Sequence, residues 1–216
     1  MVIIGSGRVA RFVVDTLSAM GRQSEVSGCL VEKSYKKEPT GLKVDVFSVS
    51  SFFGPDFISV VRSLKDSSFF IAVGSPVARR EIAHHLVSEF GDASFPNIID
   101  SRAYVSSSAN LGSGNYVGPF SSVLPGSDIS DFCIIEDHVS VGIDVLIRSF
   151  CTVCPGCCLT ASVSVEEGVF VGVGAKVAPE LTIASEVIVG AGAIVINDCS
   201  RPQEIVVGNP ARRLHR

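Results

Sequence analysis

The chain has 216 residues, of which 46% are hydrophobic and 19% charged, and its formal net charge is −4. This length allows one or two domains, and the apolar content is sufficient for a packed core. An acidic chain without a basic stripe is not expected to coat nucleic acid, although a phosphate-bearing small molecule needs only one or two local cations.

The sequence predicts neither a targeting segment nor membrane insertion. The opening MVIIG is too short for the apolar region of a signal peptide, and no apolar run approaches the length of a membrane span. We therefore expect a soluble, cytoplasmic protein. Its seven cysteines are an odd number, so a disulfide framework is not predicted for such a location.

The first elements along the chain, VIIGSGRVARFVVDTL, have the pattern of a strand, a glycine turn and a helix. Gly5, Ser6 and Gly7, followed by Ala10, form a G-x-G-x-x-A pattern. Such a turn can bring backbone N–H groups close to a phosphate at the helix N-terminus. The alternative is that the glycines only allow the strand and helix to pack tightly. The predicted apolar face of the helix is formed by Val9, Phe12, Val13 and Leu17.

Strands and helices then alternate up to residue 98. Short strands are predicted at VSGCLV, KVDVF and SFFIAVG, and helices over 50–64 and from Ser75-Pro76 onward, where serine caps the helix. This alternation predicts a Rossmann-like α/β domain with a parallel sheet over residues 1–98. Ligands bind at the carboxyl ends of such strands, here near the glycine turn, Glu32 and Gly74. Glu32 is a candidate acceptor for a ribose hydroxyl, or else a solvated surface acid.

From residue 105 onward the sequence has a period of six. Neither a helix (period 3.6) nor an ordinary strand (period 2) has this period, which is typical of a parallel β-helix of hexapeptide repeats. The residue two positions before each aliphatic is mostly small, and the residue after it is often glycine, where we expect the chain to turn. The sequence therefore predicts an all-β coil over residues 99–216. Sixteen aliphatic residues follow the period without a slip: Val105, Leu111, Val117, Val123, Ile129, Ile135, Val141, Ile147, Val153, Leu159, Val165, Val171, Val177, Ile183, Val189 and Val195.

The cysteine-rich run CTVCPGCC is explained by the repeat rather than by a metal. Cys133, Cys151 and Cys157 occupy the inward small position of the hexads. A zinc site needs converging ligands, whereas these thiols are distributed around a coil. No metal site is predicted.

A glycine turn at 5–7, the segment FIAVGSPVARREIA, the unbroken hexads and the terminal VGNPA at 207–211 together resemble a known family. The chain resembles bacterial sugar acyltransferases of the sialic-acid O-acetyltransferase and bacillosamine N-acetyltransferase type. This resemblance implies a homotrimer of left-handed coils with three hexads per turn. It implies acetyl-CoA as co-substrate in the cleft between neighbouring coils, no metal, and an amino- or hydroxy-sugar acceptor.

The resemblance also implies a place for a nucleotide-linked acceptor such as a UDP-sugar. In family members that act on nucleotide sugars, the nucleotide lies at the N-terminal glycine turn. The implied substrate-binding residues are Gly5, Ser6, Gly7, Glu32 and Gly74.

The family's catalytic base is a histidine in a segment resembling V-x-H-[DE]-C-x-I-G, which here is VGIDVLIR. The histidine position is Ile143, which cannot accept a proton, while the acidic neighbour remains as Asp144. A second family histidine, which contacts the acetyl group, is replaced by Thr152, whose hydroxyl could still donate a hydrogen bond. The expected coenzyme contacts are Gly172, Val173, Gly190 and Ala191, with Arg212 and Arg213 either near a phosphate or solvated.

His138 is the remaining candidate base in this region. It lies five residues before Ile143, so it belongs to a neighbouring face of the coil, which in a trimer could line an adjacent cleft. Two functions remain open. One is an acyl-CoA-dependent sugar transferase whose acceptor is activated by His138, by Asp144 or by its own amine. The other is a catalytically silent trimeric scaffold that retains ligand binding.

Overall fold

The computed structural model describes residues 1–34, 45–91 and 94–214, with only the main chain for Pro55. The chain forms two compact units, Met1–Ile98 and Ile99–Arg216. Among the described helices, none has the length and apolar character required to cross a bilayer.

The first unit is a parallel α/β unit, which confirms the predicted fold class. Its sheet has the order β3-β2-β1-β4, and all three strand pairs are parallel. β1 and its neighbours β2 and β4 carry buried residues on both faces, as a sheet covered by helices requires. The strands are β1 (Val2–Ile4), β2 (Gly28–Glu32), β3 (Asp45–Val49) and β4 (Phe69–Ile71), and the helices are α1 (Arg8–Ala19), α2 (Pro55–Ser63) and α3 (Pro76–Phe90).

The helices of this unit follow the predicted signals with two differences, one at the start of α2 and one on the apolar face of α1. The helix predicted over 50–64 begins only at Pro55. Ser75 caps α3 and accepts a hydrogen bond from the Ala78 amide at 3.4 Å, as predicted. On α1, Phe12 is 39% exposed, and Ala10 and Val14 belong to the buried face instead. Phe12 therefore lies at the rim of the apolar stripe. The first two residues of the predicted strand KVDVF lie outside the described residues, and β3 begins at the third.

The second unit is a left-handed parallel β-helix, as predicted. A two-residue strand recurs every six residues from β5 (Ile98–Ile99) onward. These strands are β6 (Tyr104–Val105), β7 (Asn110–Leu111), β8 (Tyr116–Val117), β9 (Ser122–Val123), β10 (Asp128–Ile129), β11 (Ile134–Ile135), β12 (Ser140–Val141), β13 (Leu146–Ile147), β14 (Thr152–Val153), β15 (Cys158–Leu159), β16 (Ser164–Val165), β17 (Phe170–Val171), β18 (Lys176–Val177), β19 (Thr182–Ile183), β20 (Ile188–Val189) and β21 (Ile194–Val195).

Each turn of the coil takes three hexads. Asp128 of β10 pairs with Leu146 of β13, eighteen residues further on, and the other pairs between β6 and β21 keep this register. The strands therefore form three faces. Face 1 contains β5, β8, β11, β14, β17 and β20, and is extended by β22 (Ile205–Val207) and the antiparallel β23 (Arg212–Arg213). Face 2 runs from β6 to β21, and face 3 from β7 to β19.

The aliphatic series fills the interior of the coil. Val117 and the later members of the series are all at most 1% exposed, while Val105 and Leu111 in the first coil are partly buried against the same core. Each buried aliphatic side chain contributes about 1.5–3 kcal/mol of transfer free energy, so the stack of coils has a core of its own. The inward role predicted for Cys133, Cys151 and Cys157 is confirmed by their exposures of 0%, 0% and 1%.

The chain turns three residues after each aliphatic, not directly after it as predicted. From 114 to 192 every sixth residue has a positive φ, and many of them are not glycine. Phe120, His138 and Asp144 adopt φ values of 59°, 56° and 56°. The backbone of the preceding coil holds this conformation, since the His138 amide donates to the Pro119 carbonyl at 3.0 Å.

The glycines directly after the aliphatic residues are required for a different reason, which is that successive coils approach each other closely there. A Cβ at Gly142 would lie 2.8 Å from the carbonyl oxygen of Leu159 and 2.8 Å from the carbonyl carbon of Thr160. These are backbone atoms of the next coil, so they cannot move aside. Glycine is therefore required here for space rather than for an unusual φ.

This crowding leads to a stability prediction. Gly142→Ala should lower the free energy of unfolding by about 1–3 kcal/mol, the usual cost of overpacking a tight site. Ser130→Ala, at the same step of another hexad, should leave it almost unchanged. Urea unfolding of both variants checks the difference, and equal stabilities would contradict the close approach of the coils.

The small series does more than fill space. Its hydroxyl and thiol groups donate hydrogen bonds to a turn carbonyl of the next coil, at 2.6 Å for serine and 3.1 Å for cysteine. Serine and cysteine therefore have the same structural role at this position. The pairs are Ser121 with Glu136, Ser127 with Gly142, Cys133 with Arg148, Cys151 with Glu166 and Cys157 with Gly172.

Candidate active site

The turns of the coil stack into three edges, because residues eighteen apart lie above one another. We name the edge between faces 1 and 2 the glycine edge, the edge between faces 2 and 3 the Asp144 edge, and the third the Phe132 edge. The turn residues of the glycine edge are, in coil order, Arg102, Phe120, His138, Gly156, Gly174 and Gly192.

The first half of the glycine edge is a ladder of stacked side chains. The buried carboxylate of Asp100 binds the Arg102 guanidinium at 2.8 and 2.9 Å. The guanidinium carbon lies 5.1 Å from the centre of the Phe120 ring, and that ring stacks on His138 with centroids 5.1 Å apart. Cation–π and ring stacking contacts of this kind hold an exposed side chain in place. The imidazole of His138 is thus oriented although it is exposed.

In the second half of the same edge the turn positions are all glycines. A Cβ at Gly174 or Gly192 would meet nothing within 4 Å, so neither glycine is required for space. Their φ values of 69° and 68° match those of the non-glycine turn residues, so the conformation does not require glycine either. We name Gly156, Gly174 and Gly192 the glycine strip, which begins one coil beyond His138.

The predicted coenzyme contacts lie beside this strip. Gly172 and Val173 follow β17, and Gly190 and Ala191 follow β20, which places both loops on the glycine edge. Val173 is 55% exposed. The structure therefore brings these residues and His138 to one edge of the coil.

Ile143 and Asp144 lie on a different edge. Ile143 is 48% exposed, and Asp144 is the turn residue of the Asp144 edge, with its carboxylate lying over Gly126. Within a single chain these two residues are therefore not brought together with His138 or the glycine strip. The separation that the sequence predicts between His138 and the family base position is present.

Thr152 and the C-terminal arginines lie near face 1. Thr152 is on β14 and only 2% exposed. Arg212 on β23 is exposed, and its Nη1 donates to the carbonyl of Ala211 at 2.8 Å, while Arg213 Nε lies 3.9 Å from the carboxylate of Glu204. Both arginines remain accessible to an anion at this end of the coil.

In the glycine turn of the first unit, tight packing requires a glycine at position 5. Gly5 has a φ of 118°, and a Cβ there would lie 2.7 Å from the carbonyl oxygen of Ala72, which follows β4. This supports the packing interpretation at that position. Ser6 is 8% exposed, and Gly7 is the N-cap residue of α1.

The first turn of α1 is nevertheless suited to an anion. Arg8 and Arg11 lie in this turn, and both are exposed. The N-terminal end of a helix already carries a partial positive charge, so two cations there repel the helix dipole unless an anion balances them. The arrangement can therefore bind a phosphate group.

Glu32 and Gly74 both have structural ties that the sequence did not predict. The Glu32 Oε1 atom accepts hydrogen bonds from the Phe52 amide at 2.9 Å and the Ser51 hydroxyl at 3.2 Å. Its carboxylate thus joins the end of β2 to the loop after β3. The carbonyl of Gly74, in the loop after β4, accepts a hydrogen bond from the guanidinium of Arg79, whose side chain is buried at 1% exposure.

The cysteines of the coil are poor candidates for chemistry. All seven cysteines of the chain lie among the described residues, and none of them forms a disulfide. Burial raises the pKa of the Cys157 thiol to about 11 and that of Cys199 to about 11, so both thiols stay protonated at neutral pH. Within residues 1–34, 45–91 and 94–214, no group of three or more His, Cys, Asp or Glu side chains is arranged to hold a metal ion.

Sequence comparison alone identifies no close match over the whole chain. No family model matches the sequence. An uncharacterized protein of Acanthamoeba polyphaga mimivirus is 35% identical over 78 residues, which are 36% of this chain. The chain covers only 15% of that curated relative's length.

Solved structures match over the full length. A histidine-to-asparagine mutant of perosamine N-acetyltransferase from Caulobacter crescentus, in complex with CoA and GDP-perosamine, is 30% identical with a TM-score of 0.87 and covers 100% of this chain and 96% of that one. The acetyltransferase domain of PglB from Neisseria gonorrhoeae FA1090, in complex with acetyl coenzyme A, is 26% identical with a TM-score of 0.84, covering 99% and 98%. WeeI from Acinetobacter baumannii AYE, at 21% identity and a TM-score of 0.76, covers 99% and 100% and shares the fold.

These matches confirm the family predicted from the glycine turn, the hexads and the terminal VGNPA. Both units are included, because the matches extend over nearly the whole of each chain. The chain therefore belongs to the hexapeptide-repeat family of sugar acetyltransferases.

Proposed function

We propose that this protein transfers an acetyl group from acetyl-CoA to the amino group of a nucleotide-linked sugar. The observation that carries the proposal is the composition of the glycine edge. A bare strip, the two predicted coenzyme loops and an oriented histidine all lie along one line of the coil. The complexes of the similar enzymes with CoA, acetyl-CoA and GDP-perosamine support the same two ligands here.

The glycine strip is suited to the extended arm of the coenzyme. Neighbouring strands in a sheet are about 4.8 Å apart, so the three coil steps from Gly192 to His138 span roughly 14 Å. The absence of side chains over Gly156 and Gly174 lets a ligand contact the main chain directly. With the arm along this strip and the nucleotide end towards Arg212, the thioester is directed to His138.

His138 is the proposed general base. The sugar nitrogen attacks the thioester carbonyl carbon, its proton passes to the His138 imidazole, and the carbon–sulphur bond breaks to release CoA, whose thiolate takes up that proton. The family position Ile143 cannot take a proton. An amine needs a base less than a hydroxyl does, so the altered site favours N-acylation. Holding amine and thioester together supplies much of the remaining acceleration.

The nucleotide is proposed to bind at the carboxyl edge of the first unit's sheet. Its diphosphate would lie at Gly5–Gly7 and the first turn of α1, where Arg8 and Arg11 balance its charge. A carboxylate at the end of β2, here Glu32, suits a ribose hydroxyl. The active form is proposed to be a cytoplasmic homotrimer, with each coenzyme between the coils of two subunits.

One observation favours a second function, a silent scaffold. Ile143 stands where the family places its base, and it is on a different edge from His138. If His138 does not replace that base, the trimer would still bind acetyl-CoA and the nucleotide sugar without turnover.

The proposal is tested by measuring CoA release with a panel of UDP- and GDP-linked amino-sugars and their hydroxyl counterparts, beside calorimetric binding of CoA. We expect CoA to bind, and turnover with at least one amino-sugar but not with its hydroxyl counterpart. Binding without turnover on every acceptor would identify the scaffold. Absence of both would contradict the proposed function.

A further inference from the structure

An exposed phenylalanine stands at the carboxyl edge of the first unit's sheet. Phe53, in the loop after β3, is 51% exposed, whereas its neighbour Phe52 is 9% exposed and packs edge-to-face on Phe57 with centroids 6.0 Å apart. One ring thus anchors the loop and the other points into solvent. A single exposed ring is common on protein surfaces, so its meaning depends on the loop that presents it and on the groups beside it.

The loop that carries Phe53 is held by hydrogen bonds at both ends. The Ser50 amide and hydroxyl donate to the Asp56 carboxylate at 2.7 and 2.6 Å. The Gly54 amide donates to the Ser51 carbonyl at 2.9 Å, and the Phe53 amide to the Ser51 hydroxyl at 3.2 Å. The ring is therefore presented by a preorganised backbone, which lowers the entropic cost of binding a ligand against it.

The order of the strands places this ring at one end of a line of ligand-binding groups. In the sheet order β3-β2-β1, the glycine turn follows β1, Glu32 ends β2, and Phe53 follows β3. Strands about 4.8 Å apart separate the first and last of these by roughly 10 Å. A nucleoside diphosphate presents diphosphate, ribose and base in the same order. Glu32 also connects the end of β2 to the loop that carries Phe53, because its carboxylate accepts hydrogen bonds from Ser51 and Phe52.

We propose that Phe53 is the platform on which the nucleobase of the nucleotide sugar stacks, an inference that rests on the proposed function. Stacking on an aromatic ring is available to every base, because each has a π face. Phe53 therefore contributes affinity for uracil and guanine nucleotides alike. Discrimination between bases belongs to groups that contact the base edges.

The chain contains no tryptophan, which allows a direct spectroscopic test. Phe53→Trp introduces a single indole at the platform, and its fluorescence should be quenched on titration with UDP and with GDP. Inorganic pyrophosphate, which has no base, should leave the fluorescence unchanged. The matched control is Phe12→Trp, another exposed phenylalanine position of the same unit at 39% exposure, where no quenching is expected.

A second variant measures the contribution to affinity. Phe53→Ala should weaken the binding of UDP and GDP by about 5- to 150-fold, the range found when an aromatic platform for one base is replaced by alanine. KM for the nucleotide sugar should rise while KM for acetyl-CoA stays constant. Phe12→Ala should change neither. Because Phe53 is exposed, its removal is expected to leave thermal stability unchanged.

The outcomes separate this inference from the function on which it rests. If the wild-type protein binds UDP or GDP but Phe53→Trp is not quenched and Phe53→Ala binds equally well, the platform is wrong and the function stands. If the wild type binds neither nucleotide, the nucleotide part of the proposed function fails, and the platform with it. Fluorescence that responds to protein concentration rather than nucleotide would show a protein contact and overturn the inference.

Discussion

His138→Gln is expected to lower kcat for acetyl transfer by about 10²–10⁴-fold, the usual contribution of a general base. Glutamine cannot take up the amine proton at neutral pH, but it keeps a planar polar group above Phe120. The positive φ of 56° is accessible to glutamine, as Gln203 shows with 63°. We therefore expect the fold, the affinity for CoA and KM for the sugar to be preserved. Steady-state kinetics with acetyl-CoA and an amino-sugar nucleotide check this.

The control for this variant is Glu180→Gln, an exposed turn residue with a φ of 63° on another edge. It should leave kcat unchanged. Full activity of His138→Gln would assign the proton transfer elsewhere and show that the acceptor amine reacts without a side-chain base. That outcome would remove His138 from the mechanism while leaving the coenzyme position intact.

Gly174→Phe is expected to weaken acetyl-CoA binding by about 100-fold or more, because the ring would occupy the space along the glycine strip. A Cβ at this position meets nothing within 4 Å. Phe120, two coils before Gly156 on the same edge, already adopts this turn conformation. The left-handed φ costs a non-glycine residue about 1–2 kcal/mol, which the coil can tolerate. Calorimetric titration with CoA measures the loss, and thermal unfolding verifies that the coil remains folded.

A matched control separates blockage of the strip from the effect of an added ring. Glu186→Phe places the same side chain at a turn residue of the Phe132 edge, which carries none of the residues assigned to the site. CoA affinity should be retained in this variant. Equal loss in both variants, or no loss in Gly174→Phe, would argue against coenzyme binding along the glycine edge.

The coil was predictable because its core obeys one simple rule. Each face of the coil needs one inward aliphatic side chain per hexad, so these residues recur every six positions from Val117 to Val195. The turn position was not predictable from residue preferences. A positive φ is uncommon for any residue but glycine, although His and Asp adopt it more often than Phe does, and the stacked backbone imposes it on Phe120, His138 and Asp144 alike. Tertiary structure overrides local preference at these positions.

The sequence indicates coenzyme contacts at 172–173 and 190–191, which stay a prediction, but it did not indicate the glycine strip beside these loops. Gly172 and Gly190 stand out beside the aliphatics of their hexads, and family resemblance assigned them a role. Gly156, Gly174 and Gly192 become neighbours only when one turn is known to take eighteen residues. The signal was present as a spacing of eighteen. The tie between Glu32 and the loop after β3 left no comparable sequence pattern, because it joins segments nineteen and twenty residues apart.

A structure of the protein crystallised with CoA measures the position of the coenzyme directly. Density for the pantetheine arm over Gly156, Gly174 and Gly192, with the sulphur atom beside the imidazole of His138, is the result that we expect. Coenzyme density beside Ile143 with the arm away from these three glycines, or bound only to the first unit, would contradict the assignment of this edge as the place of acetyl transfer.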